Sequence, residues 1–249
     1  VTSGMFLEKV KGLAAAGKVS EKSRVMFVND GSKDNTWAII QQLAAQDEHF
    51  LGVCLSRNRG HQNALLAGRM TAKDMADVTI SIDCDGQDDI NAMDKMIDEY
   101  LAGCDVVYGV RSKRETDTWF KRTTAEGFYK VMNALGANTV YNHADYRLMS
   151  KRALEGLAQF REVNLFLRGL VPLIGFRSDV VPYERHERFA GESKYPLKKM
   201  ISFALDGITS FSIKPIRFIT GLGVCIFVIS LLMLLYFLIV HWTGHTVAG

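Results

Sequence analysis

Short apolar runs alternate with stretches of helical periodicity over the first hundred or so residues. "RVMFV" (24–28) reads as a strand. "NDGSKDNT" then turns into a helix, with Asp34 as its N-cap and Trp37, Ile40, Leu43 and Ala44 as its apolar face. "FLGVCL" (50–55) is a second strand, followed by the loop "SRNRGHQN" and a helix through "ALLAGRM". "VTISI" (78–82) is a third strand, the next helix shows a face of Met93, Met96, Ile97 and Tyr100, and "DVVYGV" (105–110) is a fourth strand. Strands alternating with helices predict an α/β domain with a Rossmann-like, mostly parallel sheet covered on both sides. Ligands of such sheets bind beyond the carboxyl ends of the strands, where the motifs discussed below fall. The chain opens on "VTSGMFLEKVKGLAAAG", which is helix-like, whereas a sheet of this kind normally opens with a strand. A first strand and its loop are therefore expected to precede it.

The pattern changes near the other end. From Phe218 to Val240 no charged residue occurs, and about 20 apolar residues suffice to cross a bilayer. This predicts a transmembrane helix over 216–241, too far from the start to be a signal peptide. Lys214 and Arg217 precede it, and His241 and His245 follow. That bias places the preceding domain on the cytoplasmic side of the inner or plasma membrane. Leu197, Met200, Ile201, Ala204, Leu205 and Ile208 share one helical face, with Lys198, Lys199, Ser202 and Asp206 off it. The expected layout is a catalytic domain over 1–194, an amphipathic interfacial helix over 195–215, and the span. A single span with such a collar is compatible with a homo-oligomer.

Composition narrows the function. A net charge of +3, with no basic stripe interleaved with aromatics, argues against a nucleic-acid partner. Cys54, Cys84, Cys104 and Cys225 are widely spaced and lack the CxxC arrangement of a zinc or redox site. So few cysteines in a chain of this length make no disulfide framework, which suits a reducing compartment.

The third strand runs directly into "DCDGQDD". Asp83 and Asp85 project to the same side of the strand end. Carboxylates so close repel unless a cation lies between them or one takes a proton. All-oxygen ligands suit Mg²⁺ or Mn²⁺, which commonly bridge to phosphates, and Gln87 offers a further oxygen. Calcium loops are excluded. Counting from Asp83, Asp88 stands where glycine is required and Asp94 where glutamate is; counting from Asp30, Asn35 and Gln41 fail likewise. The alternative is a solvated acidic turn capping the next helix, which suits Asp88 and Asp89.

Neighbouring motifs extend the pattern. "VNDGSKDNT", "LSRNRGHQNALLAG" and "SIDCDGQDD" follow successive strands in an order that resembles the nucleotide-sugar domain of inverting family 2 glycosyltransferases with the GT-A fold. "HADYRLMSKRAL" (143–154) and "RFAGESKYPLKKM" (188–200), ahead of a span, resemble the polyisoprenyl-phosphate glycosyltransferases. That group includes dolichyl-phosphate mannose synthase and the bacterial undecaprenyl-phosphate glucosyltransferases. D-x-D alone is a weak signal; R-x-x-G-x-S-K-Y joined to a span is a strong one. The family's P-x-Y-N-E-type first strand end is not in this sequence, nor is the second span usual in bacterial members.

The resemblance implies roles for particular residues. Asn29, Asp30 and Gly31 would meet the nucleotide, with Asp30 accepting from base or ribose or, alternatively, stabilising the turn. Arg57, Asn58 and Gly60 lie on the loop beside it, and Asp83 with Cys84 continues the nucleotide-sugar site. Asp83, Asp85 and Gln87 would hold the metal on the diphosphate, Asp85 most directly. Arg111, Arg188, Ser193 and Lys194 would gather around the acceptor phosphate. Asp145 and Arg147 would belong to the catalytic site. A phosphate monoester has a second pKa of about 6, so it is largely ionised at neutral pH and needs no strong base.

The implied activity is metal-dependent, inverting transfer of a hexose, best matched by glucose from uridine diphosphate glucose, to a polyprenyl phosphate at the cytoplasmic membrane face. A processive polysaccharide synthase of the same fold would carry a Q-x-x-R-W segment and several spans, and neither is found here. A non-catalytic nucleotide-sugar-binding scaffold would be expected to lose the metal aspartates or the R-x-x-G-x-S-K-Y loop, and both are intact.

Overall fold

The computed structural model describes residues 2–112, 143–161, 167–185 and 214–244. The loop carrying Arg188, Ser193 and Lys194, and the amphipathic segment as far as residue 213, lie outside the described residues.

The alternation expected from the sequence is present. Helix α1 (Thr2–Ala15) comes first, then β1 (Val25–Asn29), α2 (Thr36–Gln46), β2 (Phe50–Cys54), α3 (His61–Ala72), β3 (Val78–Ser81), α4 (Ala92–Leu101) and β4 (Val106–Arg111). Each strand ends within a residue of its sequence-based limit. One cap moves: the N-cap position of α2 is Asn35, and the Asp34 carboxylate instead accepts from the Thr36 N–H at 3.0 Å. Beyond β4 come β5 (His143–Ser150), α5 (Lys151–Leu157), α6 (Leu167–Leu173), β6 (Ser178–Tyr183) and the long α7 (Lys214–Trp242).

Strand order shows what sequence periodicity did not. β1 and β2 form a parallel pair, while the second sheet runs β3-β5-β4-β6. β4 and β6 are parallel, and β5 is inserted antiparallel between β3 and β4. The architecture is mixed α/β with parallel pairs interrupted by one reversed strand. Alternation along β5 explains how "HADYRLMS" fits there. Tyr146 and Leu148 face one core, with Phe6 and Leu13 of α1 and Met93, Met96 and Ile97 of α4. Met149 faces the other, with Ala153, Leu154 and Leu157 of α5 and Leu167, Leu170 and Val171 of α6. By the same period Asp145 and Arg147 lie on the Met149 face, both buried.

Salt links fasten α1 and the turn after it to α4: Lys9 pairs with Asp94, and Lys18 Nζ lies 2.6 Å from Asp98. Where β5 passes into α5, Ser150 caps the helix, its Oγ accepting from the Ala153 N–H at 3.1 Å and donating to Asp105 at 2.8 Å. Arg152 pairs with the same Asp105 carboxylate. This capping fixes the far end of the strand that carries Asp145. Helix α7 is exposed from Ile216 onward except at half-buried Val240, and an 18-residue window within its segment Ile216–Trp242 reaches a mean hydropathy of 2.9. At 1.5 Å per residue this segment measures about 40 Å, long enough to cross a membrane.

The Ser150 cap yields a stability expectation. Ser150→Ala removes a buried cap from the Ala153 N–H and one hydrogen bond donated to the Asp105 carboxylate, so it costs about 1–2 kcal/mol. A thermal midpoint unchanged from that of the parent protein in detergent would contradict this account.

Candidate active site

β3 and β4 end on the same side of the sheet, and the reversed β5 begins there. The β3–β5 register pairs Ser81 with Arg147. Continued two residues, it sets Asp83 opposite Asp145. The third strand end and the "HADYR" segment, sixty residues apart in sequence, therefore meet at one rim.

Asp145 is the most constrained group there. His61 Nε2, on the first residue of α3, lies 3.0 Å from its Oδ2. Arg168 of α6 donates to both carboxylate oxygens, from Nη2 at 3.0 Å and Nε at 3.3 Å. Burial alone pushes the Asp145 carboxyl up, but His61 and Arg168 outweigh it and hold the group well below the usual carboxylate range. It is therefore ionised throughout the neutral range. Reciprocally, the hydrogen bond to Asp145 raises His61 above its ordinary value of 6.5; burial and Arg168 oppose that rise, and Asp83 adds to it. Neither His61 nor Arg168 was singled out by sequence reasoning. No spacing signal marks them, because their link to Asp145 exists only once β5 is reversed beside β3.

Burial pushes the Asp83 carboxyl above its ordinary range; His61 opposes this, while Asp88, Asp145 and Asp85 add to it. This gathering of negative charge is what a divalent cation relieves, and the donors are carboxylate oxygens, so Asp83 and Asp85 fit a hard metal ion. Asp85 also accepts from the Gln87 N–H at 3.1 Å. The Gln87 side-chain oxygen accepts from Arg185, beside the bridge that joins Asp88 to Arg185. Asp89 stays near the start of α4, accepting from the Asn91 N–H at 2.9 Å. Asp88 does not cap that helix, as the acidic-turn alternative had it. It is buried, accepts from the Tyr183 hydroxyl at 2.7 Å, and faces Arg111, whose Nε donates to the same hydroxyl at 3.3 Å. Arg111 thus stands at the rim with its guanidinium braced by Tyr183. A separate trio, Glu99, Cys104 and Asp179, brings its ligand atoms within 4.8 Å of one another. It sits at the other end of the sheet, near the starts of β4 and β6, away from the D-x-D aspartates.

The loops after β1 and β2 are locked together. Asp30 accepts from the Arg59 N–H at 2.7 Å and the Gly60 N–H at 2.9 Å. Asn29 is buried, accepts from the Ser32 N–H at 3.2 Å and donates to the Cys54 sulfur at 3.3 Å. Gly31 adopts φ +63°, and a Cβ there would lie 2.4 Å from the Arg57 carbonyl carbon and 2.5 Å from the Asn58 nitrogen. Arg57, Asn58 and Gly60 are exposed along the resulting seam, which leads straight into α3. Cys84 is also exposed, between the two aspartates. Arg147, by contrast, is buried beneath the rim, its guanidinium 4.7 Å from the centre of the Tyr108 ring.

Comparison with known proteins gives the family. Residues 8–157 match the family model described as glycosyl transferase family 2. An uncharacterized glycosyltransferase of Bacillus subtilis, YkoT, is 53% identical over 248 residues, covering 100% of this chain and 74% of that protein. A second B. subtilis protein, the uncharacterized glycosyltransferase YkcC, is 39% identical over 83% of this chain and 64% of its own length. The bactoprenol glucosyl transferase of Shigella phage SfV is 42% identical over 84% of this chain and 67% of its own length.

Two outcomes follow from the geometry. Asp145→Asn removes the anion that raises His61, so the His61 titration, followed by NMR on histidine-labelled protein, moves down toward 6.5. The sign follows from linkage. A raised imidazole contributes stability that is fully present below 6.5 and is lost as pH rises through its folded value. Wild-type melting should therefore fall over that interval, and the Asn variant's less so. Gly31→Ala meets main chain rather than a yielding side chain and sits at positive φ. It should cost more than about 1 kcal/mol, measurable as a lowered melting temperature.

Proposed function

This chain is a member of glycosyl transferase family 2, and from that premise we propose that it transfers a hexose from a nucleoside-diphosphate sugar to a polyprenyl phosphate at the cytoplasmic face of a membrane. The observation that carries the proposal is the meeting of Asp83 and Asp145 at one strand-end rim. It joins the D-x-D segment to the "HADYR" segment, which the sequence resemblance connects with lipid-phosphate acceptors. The phage relative's name supports a lipid carrier and a glucosyl group, and α7 supplies a membrane anchor. Uridine diphosphate glucose is the favoured donor.

In the proposed reaction an acceptor phosphate oxygen attacks the anomeric carbon as the bond to the nucleoside diphosphate breaks. The diphosphate leaves with the bonding electron pair, and the anomeric configuration inverts. A Mg²⁺ or Mn²⁺ ion held by Asp83 and Asp85, with Gln87 adjacent, would supply Lewis-acid stabilisation of the leaving diphosphate. The protein's own residues do the positioning. The Asp30–Gly31 turn and the Arg57–Gly60 loop form the seam for the nucleotide. Arg111, braced by Tyr183, and the Arg188, Ser193 and Lys194 loop supply cations for the acceptor phosphate. Asp145 is too acidic to serve as a strong base; it fixes His61 and Arg168 on the acceptor side, where the Arg168 guanidinium favours an anionic nucleophile. With an acceptor already ionised, catalysis is mostly orientation and electrostatics.

The test uses membrane-reconstituted protein, undecaprenyl phosphate, Mn²⁺ or Mg²⁺ and a panel of radiolabelled nucleotide sugars. Label should enter a lipid with the mass of one sugar on one phosphate, and chelator should abolish it. Asp85→Ala should reduce turnover by roughly 100-fold or more. If no donor labels lipid while nucleotide sugar still binds, the scaffold alternative replaces this one.

A further inference from the structure

Beneath the rim lies a feature that the proposed chemistry does not by itself require. Arg69 of α3 and Arg147 of β5 are 3% and 1% exposed. Among the described residues, the Arg69 Nη1 atom and all three guanidinium nitrogens of Arg147 have no hydrogen-bond partner. Burial, together with mutual repulsion, holds Arg69 down at about 9; burial brings Arg147 to about 10, so both remain charged at neutral pH. Asp145 attracts both without pairing directly with either.

Two like charges in a core are costly, and replacing buried ions by apolar groups of similar volume is often neutral or stabilising. The surroundings would accept such a replacement. Leu65, Leu66 and Met70, all on α3 with Arg69, pack on the core that contains Met149 and Leu167. Arg69 does make one good contact. Its Nη2 donates to Ser81 Oγ at 2.7 Å. That hydroxyl lies within reach of the Asp145 carbonyl oxygen at 2.8 Å and the Arg147 carbonyl oxygen at 3.2 Å. Ser81 ends β3, two residues before Asp83, so this contact spans the seam directly below the Asp83–Asp145 meeting point.

We infer that Arg69 is a positioning residue for sugar transfer: through Ser81 it fixes the main chain of β5 at Asp145, and with Arg147 it forms a buried cationic layer under that carboxylate. The inference rests on the transferase proposal above. It accounts for a charge that the core alone would be better without, and it places stability and turnover in opposition at this position.

The experiment compares Arg69→Met and Arg69→Lys in the full membrane-reconstituted protein by melting temperature, kcat and KM, and by the His61 titration. Arg69→Met should melt at or above the wild-type temperature while kcat falls by about tenfold or more and KM for each substrate stays within about twofold. Arg69→Lys should restore most of the turnover. The histidine signal reads Asp145 placement independently of turnover. His61 faces Asp145, Asp83 and Arg168, and loss of the Arg69 charge alone would raise its titration. A downward shift in Arg69→Met therefore reports a displaced Asp145 and supports the inference. Wild-type kcat with an unmoved or raised His61 titration overturns it. So does a variant whose melting temperature and activity fall together without rescue by lysine, which would assign Arg69 to the core alone. If the wild-type protein transfers no sugar, the transferase proposal fails on its own account, and the histidine titration still decides the role of Arg69.

Discussion

The ladder between β3 and β5 is the interaction on which the rest of this structure depends. Four residue pairs, from Val78–Ser150 to Ser81–Arg147, set a reversed strand against the one that ends in the D-x-D aspartates. A side chain near the start of β5 consequently arrives at the rim where β3 and β4 finish. Had β5 run parallel, Asp145 would lie at the opposite end of the sheet, beside the Ser150–Asp105 cap. A slip of one residue would turn Asp145 and Arg147 to the other face, into the apolar core occupied by Tyr146 and Leu148. The buried alternation along β5, with Asp145 and Arg147 on the Met149 face and Tyr146 and Leu148 on the face toward α1 and α4, makes such a slip costly. Specificity of register and placement of the site are thus one constraint.

Much of this was legible in the sequence, and the part that was not has a physical cause. Strand β3 and its aspartates, the two loops before them and the apolar helix announced themselves through local periodicity and turn chemistry. The reversal of β5 could not, because period-2 alternation carries no sign of direction. Everything that depends on the reversal was hidden with it, including the partnership of His61 with Asp145 and of Arg168 with the same carboxylate. Asp88 misled for a related reason. An aspartate one turn ahead of a helix resembles a cap, and only the arrival of Tyr183 from β6 gives it a buried partner instead. Arg69 sits four residues after Leu65 on an apolar helical face, a placement that usually lets an arginine reach outward to water. Its burial is a tertiary fact.

The site is built from long-range contacts between short segments. Asp30 reaches the backbone of Arg59 and Gly60, and Gln62 accepts from the Leu167 N–H at 3.1 Å. His61, between them, reaches β5. Three successive positions at the start of α3 are therefore tied to three different parts of the fold. The nucleotide-side loop and the Asp145 side share this short stretch, which makes the beginning of α3 the joint between the two proposed substrate sites.

The close fit of Gly31 against the Arg57–Asn58 backbone has a consequence for recognition. A surface loop normally surrenders conformational entropy when a ligand settles on it, and that loss is subtracted from the affinity. Here much of the disorder has already been given up during folding, because neither turn can move without displacing the main chain of the other. A ligand reaching this seam meets a mould that has already set.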